Sequence, residues 1–257
     1  MTLILATRIP ETTEVFLMSD GLYTREDSYS VMRCNSEDVH NTKITRVNDL
    51  VMLGVAGNVK NAQILLSGLD VVFDSKYNHM TMTWEDVVSD IVPKIFKLLE
   101  DKGGFISDTV DDRSLNMDIV IVSGHTIFTV YEYGEVLENV DFAVIGSPSE
   151  YVLGCNDVLK SIHTEDVITR GLLIMRNTIS RFSNVCGYPI KIIAGTDEDP
   201  EDEYIISDIE TLDMVVLKQS ETTEKLLHEL EISKQDTVLP ENTTRESEHL
   251  SAMLQTC

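Results

Sequence analysis

The chain is short of basic residues, of thiols and of long apolar runs. Lysine and arginine total 20 against 44 aspartates and glutamates, a formal net charge of −24 over 257 residues. Phosphate contacts need clustered cations, so this balance argues against a nucleic-acid partner and against an anionic membrane surface. Its plain consequence is solubility. No apolar run approaches the roughly 18 residues of a membrane span, and no Lys or Arg precedes a long apolar stretch at the start, which therefore does not read as a signal peptide. The four cysteines, Cys34, Cys155, Cys186 and Cys257, are widely and irregularly spaced, with no CxxC. Scattered reduced thiols of a cytoplasmic protein are expected. The six histidines lack metal-ligand spacing, so neither a metal site nor a cofactor is expected.

What is present is a real core: 42% of residues are hydrophobic and 25% charged, the balance of a globular chain. Apolar runs at 2–8 and 14–20, separated by Pro10-Glu11-Thr12, read as a hairpin. Residues 22–42 read as a loop or a weak strand pair. A second hairpin is expected over 43–47 and 50–55, turning at Asn48-Asp49. Gly54-Val55-Ala56-Gly57 is expected to break that strand, and Asn58 to cap a helix running past Leu65. From Thr83, the recurrence of Trp84, Val87, Val88, Ile91, Ile95 and Leu98 predicts a helix that Gly103-Gly104 ends. Strands are expected over 117–123, 126–132 and 141–145, then a helix after Gly146-Ser147-Pro148-Ser149. Another helix is expected from Thr164 to about Phe182, followed by strands over 189–194 and 213–217. Thr196–Glu203 is acidic, either a cation loop or, better supported by its spacing, a solvated turn. The expected organisation is one domain over 2–217 and an acidic, peripheral or disordered tail over 218–257. Groups of strands alternating with pairs of helices suggest two antiparallel sheets packed together and flanked by helices, an α+β four-layer αββα sandwich.

The residues that carry chemistry start at position 2. If Met1 is removed, Thr2 has both a hydroxyl and a free α-amine, so one residue supplies a nucleophile and its own general base. Downstream, in order, come Ser19-Asp20-Gly21, then Thr24, Lys43-Ile44-Thr45-Arg46 with Asn48-Asp49, Gly54-Val55-Ala56-Gly57 with Ala62, and Ala143-Val144-Ile145-Gly146-Ser147 with Tyr151. Taken alone, each block has a plain structural explanation. Thr2 is then a strand residue behind a retained Met, Asp20 a turn residue, Lys43 an edge charge, Gly57 a helix-start glycine and Ser147 a cap.

In this order and spacing, over roughly residues 2–194, the blocks resemble the N-terminal-nucleophile hydrolases of proteasome type. The likeness is greatest to the bacterial HslV-like peptidase subunit. The resemblance implies a threonine peptidase that cleaves unfolded polypeptide through an acyl-enzyme on Thr2. By resemblance Asp20 holds Lys43, Lys43 favours the neutral amine, the Gly57 N–H donates to the oxyanion, and Ser147 contacts the amine and relays the proton. Thr24 is the substrate-contacting threonine. Val55 either lines the side-chain pocket or packs in the core. A homo-oligomeric ring and an ATP-dependent unfoldase are implied as partners. The sequence departs from the pattern at Arg176-Asn177-Thr178-Ile179-Ser180, where the simple subunits carry an acid and this chain has none. Ser180 or Ser183 is the candidate to replace part of the network near the amine. Two other functions therefore stand beside the first: an inactive proteasome-like structural or regulatory subunit, and an amidohydrolase with the same Thr2 chemistry acting on a small amide.

Overall fold

Strands buried on both faces read as continuous apolar runs, whereas half-buried strands alternate. The first strand, β1 (Leu3–Arg8), is of the continuous kind. Leu3 and Leu5 enter one apolar cluster and Ile4 and Ala6 another. The computed structural model describes residues 2–9, 14–24, 31–33, 42–104, 113–161, 167–195 and 203–214. Within them β1 pairs antiparallel with β2 (Val15–Asp20), in the hairpin read from the sequence. β3 (Leu22–Thr24) and β4 (Val31–Arg33) make the short pair, and β5 (Ile44–Arg46) and β6 (Val51–Gly57) the second hairpin. Asn58 caps α1 (Val59–Ser67) by accepting from the Asn61 N–H at 3.2 Å, and α2 (Leu69–Val72) follows.

The helical stretch from Thr83 has three parts: α3 (Trp84–Asp86), a π turn over Val87–Ile91, and α4 (Val92–Asp101). Thr83 starts it with a reciprocal capping box to Asp86. Gly103 ends it at φ 68°, a conformation glycine adopts without cost. Then come β7 (Met117–Ser123), β8 (Thr126–Val130), β9 (Val136–Asn139), β10 (Phe142–Gly146), α5 (Ser149–Ser161), α6 (Val167–Arg181), β11 (Ile190–Gly195) and β12 (Glu203–Ile206).

The strands form two five-stranded antiparallel sheets, ordered β10-β1-β2-β11-β12 and β5-β6-β7-β8-β9. A cluster containing Ile4, Leu17, Ile44, Val120 and Ile145 fills the space between the sheets. Outside the first sheet lie α5 and α6, held by Leu5, Met18, Val152, Leu172 and Met175. Outside the second lie α1, α2 and α4, held by Leu53, Leu65, Ile95, Leu99 and Ile121. This is the αββα sandwich expected from the sequence.

Four details differ from the sequence reading. β6 does not break at Gly54; it runs through to Gly57. A Cβ at Gly54 would lie 2.9 Å from Ile4 Cγ2, so this glycine lets the sheets approach rather than ending the strand. β9 and β12 were not expected, because each is only four residues long and exposes apolar residues rather than alternating buried apolar with exposed polar ones. Glu203 opens β12 rather than closing a loop; positions 196–202 lie outside the described residues. Residues 209–214 are helical where a strand over 213–217 was expected, and Thr211 N–H donates to the Asp208 side chain at the start of that turn. Thr164 and the tail from 215 also lie outside the described residues.

Candidate active site

The site is built at one end of the sandwich, where β1 begins and β2 ends. Asp20 is the last residue of β2 and is 1% exposed. Burying a carboxylate is costly unless it is paired and hydrogen-bonded. Asp20 meets both conditions. Its Oδ1 accepts from Lys43 Nζ at 2.6 Å and from the Leu3 N–H at 2.8 Å. Its Oδ2 accepts from the Leu22 and Gly187 N–H groups, each at 3.2 Å. Lys43, just before β5 and 4% exposed, donates also to the Leu22 carbonyl at 2.5 Å. One ion pair thus joins the start of β1, the end of β2, the start of β5 and the loop before β11.

Thr2 directly precedes the Leu3 N–H that Asp20 holds, and is itself 8% exposed. On its other side β10 ends with Leu3 opposite Gly146. Gly146 has φ 105°, and a Cβ there would overlap the Thr2 carbonyl oxygen. Only glycine fits that position. Ser147 follows in the exposed turn before α5, directly after the Gly146 that pairs with Leu3. Gly57 ends β6 with φ 141°, opposite Met117 of β7, and a Cβ there would lie 2.5 Å from the Met117 Cα. Thr24 ends β3, two residues beyond the Leu22 carbonyl that Lys43 engages. Val55 is 4% exposed and belongs to the helix-side core, two residues before Gly57.

The departure on α6 has its own geometry. Thr178 is buried and donates to the Ile174 carbonyl at 2.7 Å, so its hydroxyl is used within the helix. Ser180 and Ser183 line a cavity of about 550 Å³ together with Leu22, Cys186, Gly187 and Tyr188. Cys186 is fully buried, and burial, reinforced by the negative charge of Asp20, pushes its thiol up to about 12. It is an inert core thiol, in keeping with the absence of any local Cys–His motif.

Leu22, Gly146 and Gly187 escaped the sequence reading. Leu22 and Gly187 act through main-chain atoms, which carry no residue-type signal. Gly146 was seen only as part of a block, and its contact with Thr2 needs the β1–β10 pairing to be known.

No protein-family model matches this sequence, and no curated protein matches it. Solved structures do resemble it. BPH of Thiobacillus denitrificans, solved in complex with epoxomicin, is 19% identical over 75% of this chain and 97% of its own, with a TM-score of 0.55. The Anbu complex of Pseudomonas aeruginosa, a helical assembly, is 14% identical over 95% of this chain and 99% of its own, with a TM-score of 0.60. Eukaryotic HslV of Trypanosoma brucei is 16% identical over 75% of this chain and 98% of its own, with a TM-score of 0.51. Identities this low speak for architecture alone. With its two five-stranded sheets between helical layers, the chain has the fold of the N-terminal-nucleophile hydrolases, the fold shared with HslV.

Proposed function

We propose that this protein is a threonine peptidase whose nucleophile is Thr2, exposed by removal of Met1, acting on unfolded polypeptide. The observation that carries this reading is the buried Asp20–Lys43 pair bonded to the Leu3 N–H, directly beside Thr2. An ion pair taken out of water is a poor source of stability compared with apolar packing. A lysine held charged beside an N-terminal residue has a chemical use. An α-amine ordinarily titrates near about 7.7–8.0, and a neighbouring cation favours its neutral form. The neutral amine, through a water, takes the Thr2 hydroxyl proton as the oxygen attacks the scissile carbonyl. Gly57 N–H is assigned to the developing oxyanion, at a loss of about 2.7–4 kcal/mol if such a donor is removed. Ser147 is assigned to the amine and to the return of the proton to the leaving group. Water then clears the acyl-enzyme. Thr24 and Val55 are assigned to substrate binding.

Homo-oligomeric assembly accords with the assembled state of the P. aeruginosa Anbu complex. A ring and an ATP-dependent unfoldase complete the reading on the partner side, and the cytoplasm is its compartment. Among the described residues no helix is long and apolar enough to cross a membrane.

Intact mass of the protein from its native host, before and after treatment with an epoxyketone, is the test. Loss of Met1 and one adduct per chain, absent in Thr2→Ala, is the expected result. A retained Met1 sinks the proposal. A second reading, an inactive subunit of the same fold, is favoured by one observation: α6 offers no acid at 176–180, and Thr178 is spent within the helix. Its signature is a chain without Met1 that forms no adduct.

A further inference from the structure

One ionisable side chain at the Thr2 end of the sandwich has no part in the chemistry above. Asp118 stands on β7 opposite Ala56 of β6, next to the Gly57–Met117 pair. Side chains along a strand alternate between faces. Met117, Ile119 and Ile121 go to the helix-side core, and Val120 and Val122 to the space between the sheets, so Asp118 shares the inter-sheet face. Ala56 shares it too, and puts only a methyl group opposite the carboxylate.

The end of the sandwich follows from the hydrogen bonds. Val55 N–H donates to the Lys43 carbonyl at 2.9 Å, and Lys43 reaches Asp20 and Leu22 beside Thr2. Ala56 and Asp118 lie one residue further towards that end. Across the sandwich β7 touches β10 and β1, the strands whose ends carry Gly146, Ser147 and Thr2. A carboxylate that shares a face with Val120 and Val122 would ordinarily be met by a cation. None of the ion pairs among the described residues includes Asp118. Its protein partner is the Glu132 backbone N–H, and burial first, then the Glu132 charge, hold its carboxyl above the ordinary range. An arriving cation offsets both effects.

We propose that Asp118 is a specificity-determining residue of the Thr2 cleft, its carboxylate receiving a lysine or arginine side chain of the polypeptide close to the scissile bond. This rests on the peptidase reading of the same cleft. It differs from the attraction that any strongly acidic protein has for cations, because it is local to one residue and one substrate position.

The test uses full-length Thr2→Ala protein, which binds without turnover, and fluorescent octapeptides in which a single Arg is walked through a norleucine background. Anisotropy titration is expected to show one position where Arg tightens binding about tenfold, the lower range of a charge-assisted hydrogen bond. Adding Asp118→Asn removes that preference, and Asp118→Lys transfers it to Glu at the same position. Glu138→Gln, an exposed β9 site that loses the same charge, leaves it in place. A preference independent of position, one that survives Asp118→Asn in a protein of unchanged melting temperature, or no binding by any peptide overturns the assignment. Epoxyketone labelling of the wild-type chain separates the two ideas. Labelling without an Arg preference sinks the Asp118 assignment alone. An Arg preference without labelling keeps the cleft and removes the catalysis.

Discussion

Breaking the Asp20–Lys43 pair from its two sides should have unequal consequences. In Asp20→Asn, the carboxylate that four donors now share is replaced by an amide with donors of its own, and Lys43 is left buried without its counter-charge. Removing one partner of a buried pair costs about 3–5 kcal/mol; the misplaced amide N–H groups put Asp20→Asn at the upper end. In Lys43→Met, the carboxylate keeps three backbone donors, from Leu3, Leu22 and Gly187. Its loss therefore falls near the lower end, about 3 kcal/mol. The double variant holds no buried charge, and its remaining cost is the mismatch of the amide against backbone N–H groups, about 1–3 kcal/mol. The double variant is thus expected to be more stable than Asp20→Asn alone. Urea titrations at two protein concentrations, which separate any assembly contribution, give the three values. Additive single effects, or a Lys43→Met loss exceeding that of Asp20→Asn, refute the reasoning that one carboxylate organises the site.

Three further outcomes follow from the geometry. Gly146→Ala is expected to lose Thr2 labelling and to lower stability by more than the about 1–3 kcal/mol of a strained backbone position, because its Cβ overlaps the Thr2 carbonyl oxygen; unchanged labelling with an unchanged melting temperature counts against the close approach. Cys186 should resist an aromatic disulfide reagent at pH 8 in the folded protein and react in urea. Because its thiol rises from the ordinary 9.0 to about 12 on folding, the unfolded chain loses this proton first. Cys186 should then lower stability as pH rises through that window, by up to about 1.4 kcal/mol per pH unit, and the slope should be shallower in Cys186→Ala, with the raised tyrosines Tyr77 and Tyr188 supplying what is left. Thr83→Ala removes the hydroxyl that accepts from the Asp86 N–H and donates to the Asp86 carboxylate at the start of α3, a loss of about 1 kcal/mol by urea titration; no change would mean that the cap is not used in solution.

The sandwich was legible because its central strands are buried on both faces and its helices carry periodic apolar stripes. Leu3–Ala6, Val51–Val55 and Met117–Val122 needed no tertiary knowledge. Elements with weak burial were missed: β9, with Leu137 and Glu138 exposed, and β12, with Glu203 to Ile205 exposed, take their form from pairing with a neighbour strand rather than from an internal pattern. Gly54 misled for a related reason. Its smallness serves a contact with Ile4 in the other sheet, and a local reading sees only a strand breaker. At the candidate site the side-chain partners Asp20 and Lys43 could be paired from the sequence by resemblance. The main-chain contributions of Leu3, Leu22 and Gly187 could not, since every residue but proline carries an N–H.

The contacts gathered by Asp20 have a consequence for the order of events in folding. Its partners range from Leu22, two residues away, to Gly187, 167 residues away. The first strand therefore cannot reach its final electrostatic surroundings until the loop before β11 is in place. Long-range closure of this kind is slow compared with local helix formation. A nascent or partly opened chain has Thr2 but not the finished cradle beneath it. The surroundings of the N-terminus then report completion of the whole domain: a half-formed molecule is not a weak version of the finished one, but one in which the lysine and the carboxylate have not yet been fixed beside Thr2.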